Sequence, residues 1–257
     1  MAFSGNDPGG GAGIQADIES LSSHGCHTAP VITALTVQDT QDFFGYTPLD
    51  LALIVEQARA VLEDIPVKAF KIGLLGSVEA AEAIHTILTD YPDIPVVLDP
   101  VLTSGNGTQI SDDDVGEAMV DLLLPQTTVL TPNSLEARAL APEADTLDAC
   151  AMALQEHGSE FVLITGSHEN TPTVINKLYA NRRMMERFEY DRLEHSYHGS
   201  GCTLAASIAG LLAQGLEPFS AIHEAQEYTW QTLKHGFRPG LGQHIPNRMF
   251  WANSDDG

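Results

Sequence analysis

The stretch that decides the fold is residues 128–140, which read TVLTPNSLEARAL. Its first four residues are apolar or β-branched and too few for a helix, so they predict a short buried strand over 128–131. Asn133, followed three positions later by Glu136, resembles a capping box and predicts a helix over 134–140. The stretch is therefore a strand, a polar link and a helix in succession.

The same succession recurs along the chain. Short apolar runs predict further buried strands at 29–37, 67–75, 94–98 and 161–165. Helical spacing predicts helices at 14–23, 49–62, 77–88, 112–124 and 146–157. This alternation predicts an α/β fold with a mostly parallel sheet, helices on both faces, and ligands bound at the carboxyl ends of the strands. Beyond residue 165, the pattern predicts antiparallel strands at 174–179 and 183–190 and then helices at 202–214 and 218–233.

Composition narrows the classes of protein and partner. The 257 residues include 12 Lys and Arg against 35 Asp and Glu, which gives a net charge of −23. Such a charge repels nucleic acid and anionic lipid, so we expect neither as a partner. No apolar run approaches the roughly 18 residues of a membrane span, and no repeat or linker divides the chain. We expect a single cytoplasmic domain over residues 1–257, adapted by its acidic surface to high salt.

The segment from His198 to Thr203 reads HGSGCT and stands directly before an apolar helical stretch. Two glycines around a small residue at a helix start aim successive N–H groups at an anion, and the helix dipole adds to the attraction. Cys202 stands at the same helix start, where the pKa of a thiol is lowered and the thiolate becomes usable as a base or nucleophile. The segment predicts an anion site beside a reactive thiol.

Two carboxylates follow predicted strands: Asp99 after the strand at 94–98 and Glu136 just beyond the strand at 128–131. Mg²⁺ keeps most of its water shell and is held by one or two carboxylates, so this pair suits it. Either residue alone is as well explained by helix capping, and it is their co-occurrence that favours a metal site.

Six motifs in chain order carry a resemblance to a known family. They are residues 4–17 (SGNDPGGGAGIQAD), 31–40 (VITALTVQDT), 71–73 (KIG), 97–101 (VLDPV), 131–136 (TPNSLE) and 198–204 (HGSGCTL). Together they resemble the hydroxymethylpyrimidine/phosphomethylpyrimidine kinases, the thiamine-pathway branch of the ribokinase-like vitamin kinases. The resemblance spans nearly the whole chain.

The resemblance implies a three-layer αβα ribokinase-like fold. It also implies ATP-dependent phosphorylation of 4-amino-5-hydroxymethyl-2-methylpyrimidine and then of its monophosphate, with Mg²⁺ as the metal and a homodimer as the assembly. The residues that it assigns to the aminopyrimidine are Gly5, Asp17, Gln38, the backbone of Thr36, and Leu74. Those that it assigns to phosphoryl transfer are Gly199, Ser200 and Gly201 as the anion hole and Cys202 as the base. Asp99 and Glu136 would organise Mg²⁺, and Asn133 and Thr165 would contact the nucleotide.

Departures from the family pattern leave alternatives open. Thr165 stands where the family commonly has a lysine, and only three residues precede Ser4, where members have a longer first strand. A pyridoxine or pyridoxal kinase of the same fold is the nearest alternative. A cysteine hydrolase with Cys202 as nucleophile and His198 or His168 as base is another. A non-catalytic vitamin-binding module is the third.

The absence of a lysine at position 165 predicts an unusual salt dependence. A triphosphate approaching a protein of net charge −23 is repelled, and salt shortens the range of that repulsion from about 10 Å at 0.1 M to about 3 Å at 1 M. We therefore expect the KM for ATP to fall between 0.1 and 1 M KCl at saturating Mg²⁺. Thr165→Lys is expected to lower the KM at low salt and to flatten or reverse the dependence. A KM that rises with salt in the unaltered protein contradicts both the screening argument and the adaptation to salt.

Overall fold

The computed structural model describes residues 1–103 and 110–253, and its strands all join one sheet. The strands of these residues are β1 (Ala2–Asn6), β2 (Pro30–Gln38), β3 (Phe43–Pro48), β4 (Phe70–Ile72), β5 (Val96–Leu98), β6 (Val129–Leu130), β7 (Phe161–Ile164), β8 (Thr173–Ala180) and β9 (Arg183–Asp191). Their order across the sheet is β3-β2-β1-β4-β5-β6-β7-β8-β9. The six strands from β2 to β7 in that order pair in parallel, whereas β3, β8 and β9 pair antiparallel at the two edges.

Helices cover both faces of this sheet. They are α1 (Gly13–Ser23), α2 (Leu51–Leu62), α3 (Val78–Asp90), α4 (Asp113–Ala118), α5 (Ser134–Leu140), α6 (Leu147–Glu156), α7 (Ser200–Ala213) and α8 (Pro218–Lys234). In β5, Val96 and Leu98 join a core that includes residues of α2 to α6, and Val97 joins a second core with α1, α7 and α8. Because successive side chains of a strand alternate between faces, one short apolar run supplies both cores. The predicted α/β fold with three layers is confirmed.

The structure contains two strands that the sequence did not predict, and one predicted helix differs from the structure. β1 and β3 are strands, although β1 ends in small and polar residues and β3 contains Gly45 and Pro48, a composition that is typical of loops. The helix predicted at 112–124 ends as α4 at Ala118 and continues as a π-helix (Met119–Leu123) and a 3₁₀-helix (Leu124–Gln126). Pro125 has no N–H to bond to the carbonyl four residues earlier, so an ordinary α-helix cannot continue there.

The β2–β3 edge carries exposed apolar side chains, namely Leu35, Val37 and Phe44. Exposed apolar residues of this kind mark protein–protein contacts, and this edge is where the expected homodimer is to be sought. The homodimer itself stays a prediction. Among the helices of the described residues, none combines the length and the apolar character needed to cross a bilayer.

Candidate active site

A cavity lies where the parallel strands end. Strand directions place the carboxyl ends of β1, β2, β4, β5, β6 and β7 at one edge of the sheet, and residues at or just beyond these ends line the cavity. They include Gly5, Asp7, Thr36, Gln38, Leu74, Asp99, Thr131, Asn133 and Thr165. The first turn of α7 closes the cavity with residues 199–202, and Glu136 of α5 joins the lining. Motifs far apart in the sequence therefore meet in one cavity.

Gly199 is the N-cap of α7 and has a left-handed backbone, with φ 85°. A Cβ at this position would lie 1.9 Å from the carbonyl oxygen of Gly11, so no side chain fits. Two glycine-rich loops thus touch through their backbones. This contact brings the positive end of a 14-residue helix to the cavity, as the HGSGCT segment predicted.

Asp7 ties these two loops together. Its carboxylate accepts hydrogen bonds from the backbone N–H groups of Gly9, Gly11 and Ala12 at 2.8, 3.0 and 2.8 Å. The same carboxylate lies 3.1 Å from His198 Nε2, at the entry to α7. Burial acts to raise the pKa of Asp7, but the hydrogen bonds from His198 and the backbone outweigh it, and the net shift is downward.

Arg248, in the segment after α8, supports the same loops from behind. Its side chain is fully buried, and its guanidinium donates to the Gly11 carbonyl, to Glu19 Oε2 at 3.0 Å and to Thr203 Oγ1 at 2.9 Å. One group therefore joins the glycine-rich loop, α1 and α7. With three acceptors on three different segments, this buried guanidinium has a structural role.

Lys71 lies beneath the cavity on β4. Its ammonium is fully buried, 2.8 Å from Asp17 Oδ1 and 3.9 Å from Asp99 Oδ2. Burial alone would lower the pKa of Lys71, but the nearby carboxylates of Asp17 and Asp99 raise it above its usual range. This is a correction to the prediction for Asp17: its carboxylate is fully buried against Lys71, and Asp17 is not among the described residues that line the cavity. Asp17 supports the site from behind.

The thiol of Cys202 faces the cavity from the first turn of α7. The predicted lowering of its pKa is wrong for the ligand-free protein. Burial raises the pKa of Cys202 to about 12, and the charges of Asp99 and Asp17 raise it further, against the opposing effect of Lys71. Desolvation here outweighs the helix dipole, so the thiol keeps its proton at neutral pH.

Asp99 and Glu136 both line the cavity, as the sequence predicted. Glu136 completes the capping box of α5: its Oε2 accepts from the Asn133 N–H at 2.9 Å, and Asn133 Oδ1 accepts from the Glu136 N–H at 2.9 Å. Burial, followed by the charge of Asp99, raises the pKa of Glu136 to about 8. Capping and metal binding are therefore compatible at this residue, since a cation would relieve the repulsion between the two carboxylates.

The two residues that the resemblance assigns to the nucleotide lie next to each other. Asn133 and Thr165 form a parallel β-bridge beyond the ends of β6 and β7, and both line the cavity. No Lys or Arg is among the described residues of this lining. Backbone N–H groups and the dipole of α7 are thus the positive groups that the cavity itself offers.

A second cleft adjoins the first and shares Ser167, His168, Tyr197 and Ser200 with it. Its walls include Tyr190 of β9 and Trp230 of α8, whose rings stack with centroids 6.4 Å apart. Arg192 fixes the loop that separates the clefts, because its guanidinium donates to the carbonyls of Ser167, Glu169 and Thr171 at 2.8, 2.9 and 3.1 Å.

The sequence reasoning missed the roles of Asp7, Lys71 and Arg248. Asp7 and Lys71 stand inside quoted motifs, and the polar residue directly after a strand end was a usable signal for Asp7. Arg248 follows the last helix in an unpatterned segment, so only the folded structure reveals its burial.

The sequence profile of the phosphomethylpyrimidine kinases matches residues 7–247. The chain belongs to this family. A hydroxymethylpyrimidine/phosphomethylpyrimidine kinase of Synechococcus elongatus is 35% identical, over 95% of this chain and 94% of that protein. The relative from Haemophilus influenzae is 33% identical, over 99% of this chain and 97% of its own length.

Solved structures of related kinases share the fold. The phosphomethylpyrimidine kinase of Clostridium difficile superposes with a TM-score of 0.77 at 30% identity, covering 90% of this chain and 97% of that one. The pyridoxal kinase of Staphylococcus aureus in complex with ADP superposes with a TM-score of 0.88 at 25% identity, covering 98% of this chain and 94% of that one. As a member of the family, the chain is a kinase with a ribokinase-like fold.

Asp7→Ala is expected to lower the free energy of unfolding by about 1–3 kcal/mol, because buried N–H groups lose their acceptor. It should also lower kcat, since the two loops lose their common anchor.

The pKa of Asp7 is depressed in the folded protein, so its contribution to stability is complete above the ordinary pKa and is lost as the pH falls through the folded value. The difference in thermal midpoint between the wild type and Asp7→Asn should therefore be constant above about pH 5 and shrink at lower pH.

Asp50→Ala provides the matched control for this experiment. Asp50 caps α2 by accepting from the Ala52 N–H at 2.9 Å, far from the cavity, so its loss should cost stability without lowering kcat. If Asp7→Ala keeps full kcat while Asp50→Ala and Asp7→Ala destabilise alike, Asp7 does not position the active site.

Proposed function

We propose that the protein transfers the γ-phosphoryl group of ATP to 4-amino-5-hydroxymethyl-2-methylpyrimidine and then to the resulting monophosphate. The observation that carries the proposal is that Gln38 lines the same cavity as residues 199–202. An amide suited to the edge of an aminopyrimidine thus faces a helix start suited to a phosphoryl group. The relatives named as hydroxymethylpyrimidine/phosphomethylpyrimidine kinases support the same substrate.

The pyrimidine would lie between β1, β2 and the end of β4. Gly5 packs so closely on Leu74 that a Cβ at position 5 would lie 2.8 Å from Leu74 Cδ2. The absence of a side chain leaves a flat wall, on which Leu74 can cover one face of the ring. The side chain of Gln38 and the backbone of Thr36, at the end of β2, offer the polar groups that contact the edge of the ring.

Phosphoryl transfer depends mainly on positioning and on neutralising charge, and the first turn of α7 contributes to both. N–H groups at the N-terminus of a helix stabilise the charge that develops on the transferring group. Cys202 would stand beside the attacking hydroxymethyl oxygen and, as a thiolate, accept its proton. Because the charge of Asp99 is one cause of the raised pKa of Cys202, compensation of that charge would favour this role.

Asp99 and Glu136 are the residues that would hold Mg²⁺. Their two carboxylates fit an ion that usually takes one or two protein carboxylates together with phosphate oxygens and water. When bound, Mg²⁺ supplies positive charge to the β- and γ-phosphates. The contribution of this chain is to keep both carboxylates at the cavity, with Glu136 fixed by its capping box.

The nucleotide would extend from the cavity into the adjoining cleft. Asn133 and Thr165 lie on the phosphate side, and the aromatic walls formed by Tyr190 and Trp230 suit a flat base. The loop held by Arg192 lies between the two parts. The solved pyridoxal kinase with ADP supports nucleotide binding by this fold.

Pyridoxal is the second candidate substrate, because the pyridoxal kinase of Staphylococcus aureus superposes with the higher TM-score of 0.88. The family match favours the aminopyrimidine. The hydrolase and the binding-module alternatives are both weakened because the chain belongs to a kinase family and the relatives above are named as kinases.

Incubation with Mg-ATP and each vitamin separately tests the proposal. We expect monophosphate and then diphosphate of the hydroxymethylpyrimidine, identified by mass, and a kcat/KM for pyridoxal that is lower by tenfold or more. A higher kcat/KM for pyridoxal than for the hydroxymethylpyrimidine would make pyridoxal the favoured substrate. The absence of phosphorylated product from either substrate would refute the kinase assignment.

Cys202→Ala is expected to lower kcat by about 10²–10⁴-fold, the usual span for one acid–base group, whereas Cys202→Asp should keep partial activity. Cys150→Ala is the matched control, since Cys150 is a buried free thiol on α6, away from the cavity. Retention of full activity by Cys202→Ala would remove Cys202 from the chemistry.

A further inference from the structure

A chain of two hydrogen bonds joins the end of β1 to Gln38 at the end of β2. The hydroxyl Oγ1 of Thr36 lies 2.7 Å from the carbonyl oxygen of Asn6, and Gln38 Nε2 lies 2.7 Å from the same hydroxyl. Thr36 is 7% exposed, and both Thr36 and Gln38 line the cavity. These two hydrogen bonds therefore connect the backbone of the sheet to a polar side chain in the wall of the cavity.

The direction of these bonds follows from proton counting. A hydroxyl has one proton to donate, and the Asn6 carbonyl can only accept, so Thr36 donates to Asn6. The Thr36 oxygen can then only accept from Gln38. If the amide of Gln38 were turned over, its oxygen would meet lone pairs on the Thr36 hydroxyl instead of a proton. The NH₂ end of Gln38 must face Thr36.

The orientation of the opposite end of the Gln38 amide follows from this direction. One N–H of Nε2 is held by Thr36, and Oε1, at the opposite end of the amide, is the acceptor that remains for a group in the cavity. A carbonyl oxygen accepts hydrogen bonds and cannot donate them. The wall of the site therefore offers an acceptor at this point, which an N–H donor on a ring satisfies and a ring carbonyl does not.

We propose that Thr36 is a positioning residue that fixes the amide orientation of Gln38, and that this orientation makes the site select a ring with an amino group over one with an oxo group at the same position. The inference rests on the proposed function and deepens it by naming the origin of its substrate selection. The sheet enforces the arrangement, because Asn6 pairs with Leu35 of β2 and Thr36 pairs with Tyr46 of β3.

Thr36→Val tests the proposal, because valine keeps the shape and removes the hydroxyl. Freed from Thr36, the amide of Gln38 can turn over and donate to a ring oxygen. The substrates to compare are 4-amino-5-hydroxymethyl-2-methylpyrimidine and its 4-oxo analogue. The wild type should prefer the amine, and in Thr36→Val the ratio of the two kcat/KM values should fall by about 5- to 30-fold, which corresponds to about 1–2 kcal/mol. The KM for ATP should not change.

Two variants serve as controls for this ratio. Thr36→Ser keeps the hydroxyl and should keep the ratio. Thr127→Val removes a buried hydroxyl that donates to the Leu123 carbonyl at 2.8 Å, far from the cavity, and should lower stability without changing the ratio. A purely structural role for Thr36 would lower activity toward both substrates together. An unchanged ratio in a folded Thr36→Val protein therefore overturns the proposal.

Gln38→Ala completes a double-mutant cycle. It should raise the KM for the aminopyrimidine, and adding Thr36→Val to it should change neither the KM nor the ratio further, because the two residues act as one unit. Additive effects would contradict the proposal.

If Thr36→Val does not fold, Gln38→Glu carries the test: its carboxylate would face the lone pairs of Thr36, and the KM for the aminopyrimidine should rise tenfold or more. An unchanged KM in Gln38→Glu overturns the inference. Lack of any kinase activity in the wild type would instead refute the proposed function.

Discussion

The contact between two backbones, at Gly11 and Gly199, is the constraint on which the site depends. The carbonyl of Gly11 occupies the space that a side chain at position 199 would need, so the two loops meet with nothing between them. Asp7 holds this contact from the cavity side through four hydrogen-bonding partners, and Arg248 holds it from behind through the Gly11 carbonyl. The start of α7, and with it the proposed anion site, takes its position from this contact.

The net charge of the protein is opposite in sign to the charge that its site requires. The protein carries a net charge of −23, yet the reaction requires it to hold a polyanion. The groups that favour an anion are the backbone dipoles at the start of α7 and the buried ammonium of Lys71 beneath the cavity. Asp17 and Asp99 both lie close to Lys71. One ammonium therefore faces two carboxylates, and the three groups together leave net negative charge below the cavity. Such a site gains from an added cation, which is consistent with two carboxylates at the cavity wall.

The proposed function assigns substrate recognition and phosphoryl transfer to different parts of the sheet. The ends of β1 and β2 are joined by the hydrogen bonds from Gln38 to Thr36 and from Thr36 to Asn6, and this is the side proposed for the ring. The ends of β5, β6 and β7 supply Asp99, Asn133 and Thr165 on the side proposed for the nucleotide. A parallel sheet permits this division because every strand presents its carboxyl end at the same edge. Changes in the ring-facing part can therefore alter selection without moving the groups that carry the chemistry.

The sequence by itself determined most of the strands and helices, except β1 and β3, and the motifs that form the cavity. Apolar runs such as Val96–Leu98 and the capping box at Asn133 are local signals, and local spacing is enough to interpret them. The tertiary structure alone decided which polar residues face substrate and which lie behind it. Asp17 lies in a motif but pairs with Lys71, and Cys202 stands at a helix start but has a raised pKa because it is buried near two carboxylates. Burial and long-range charge depend on residues brought together from distant parts of the chain, and no local pattern contains that information.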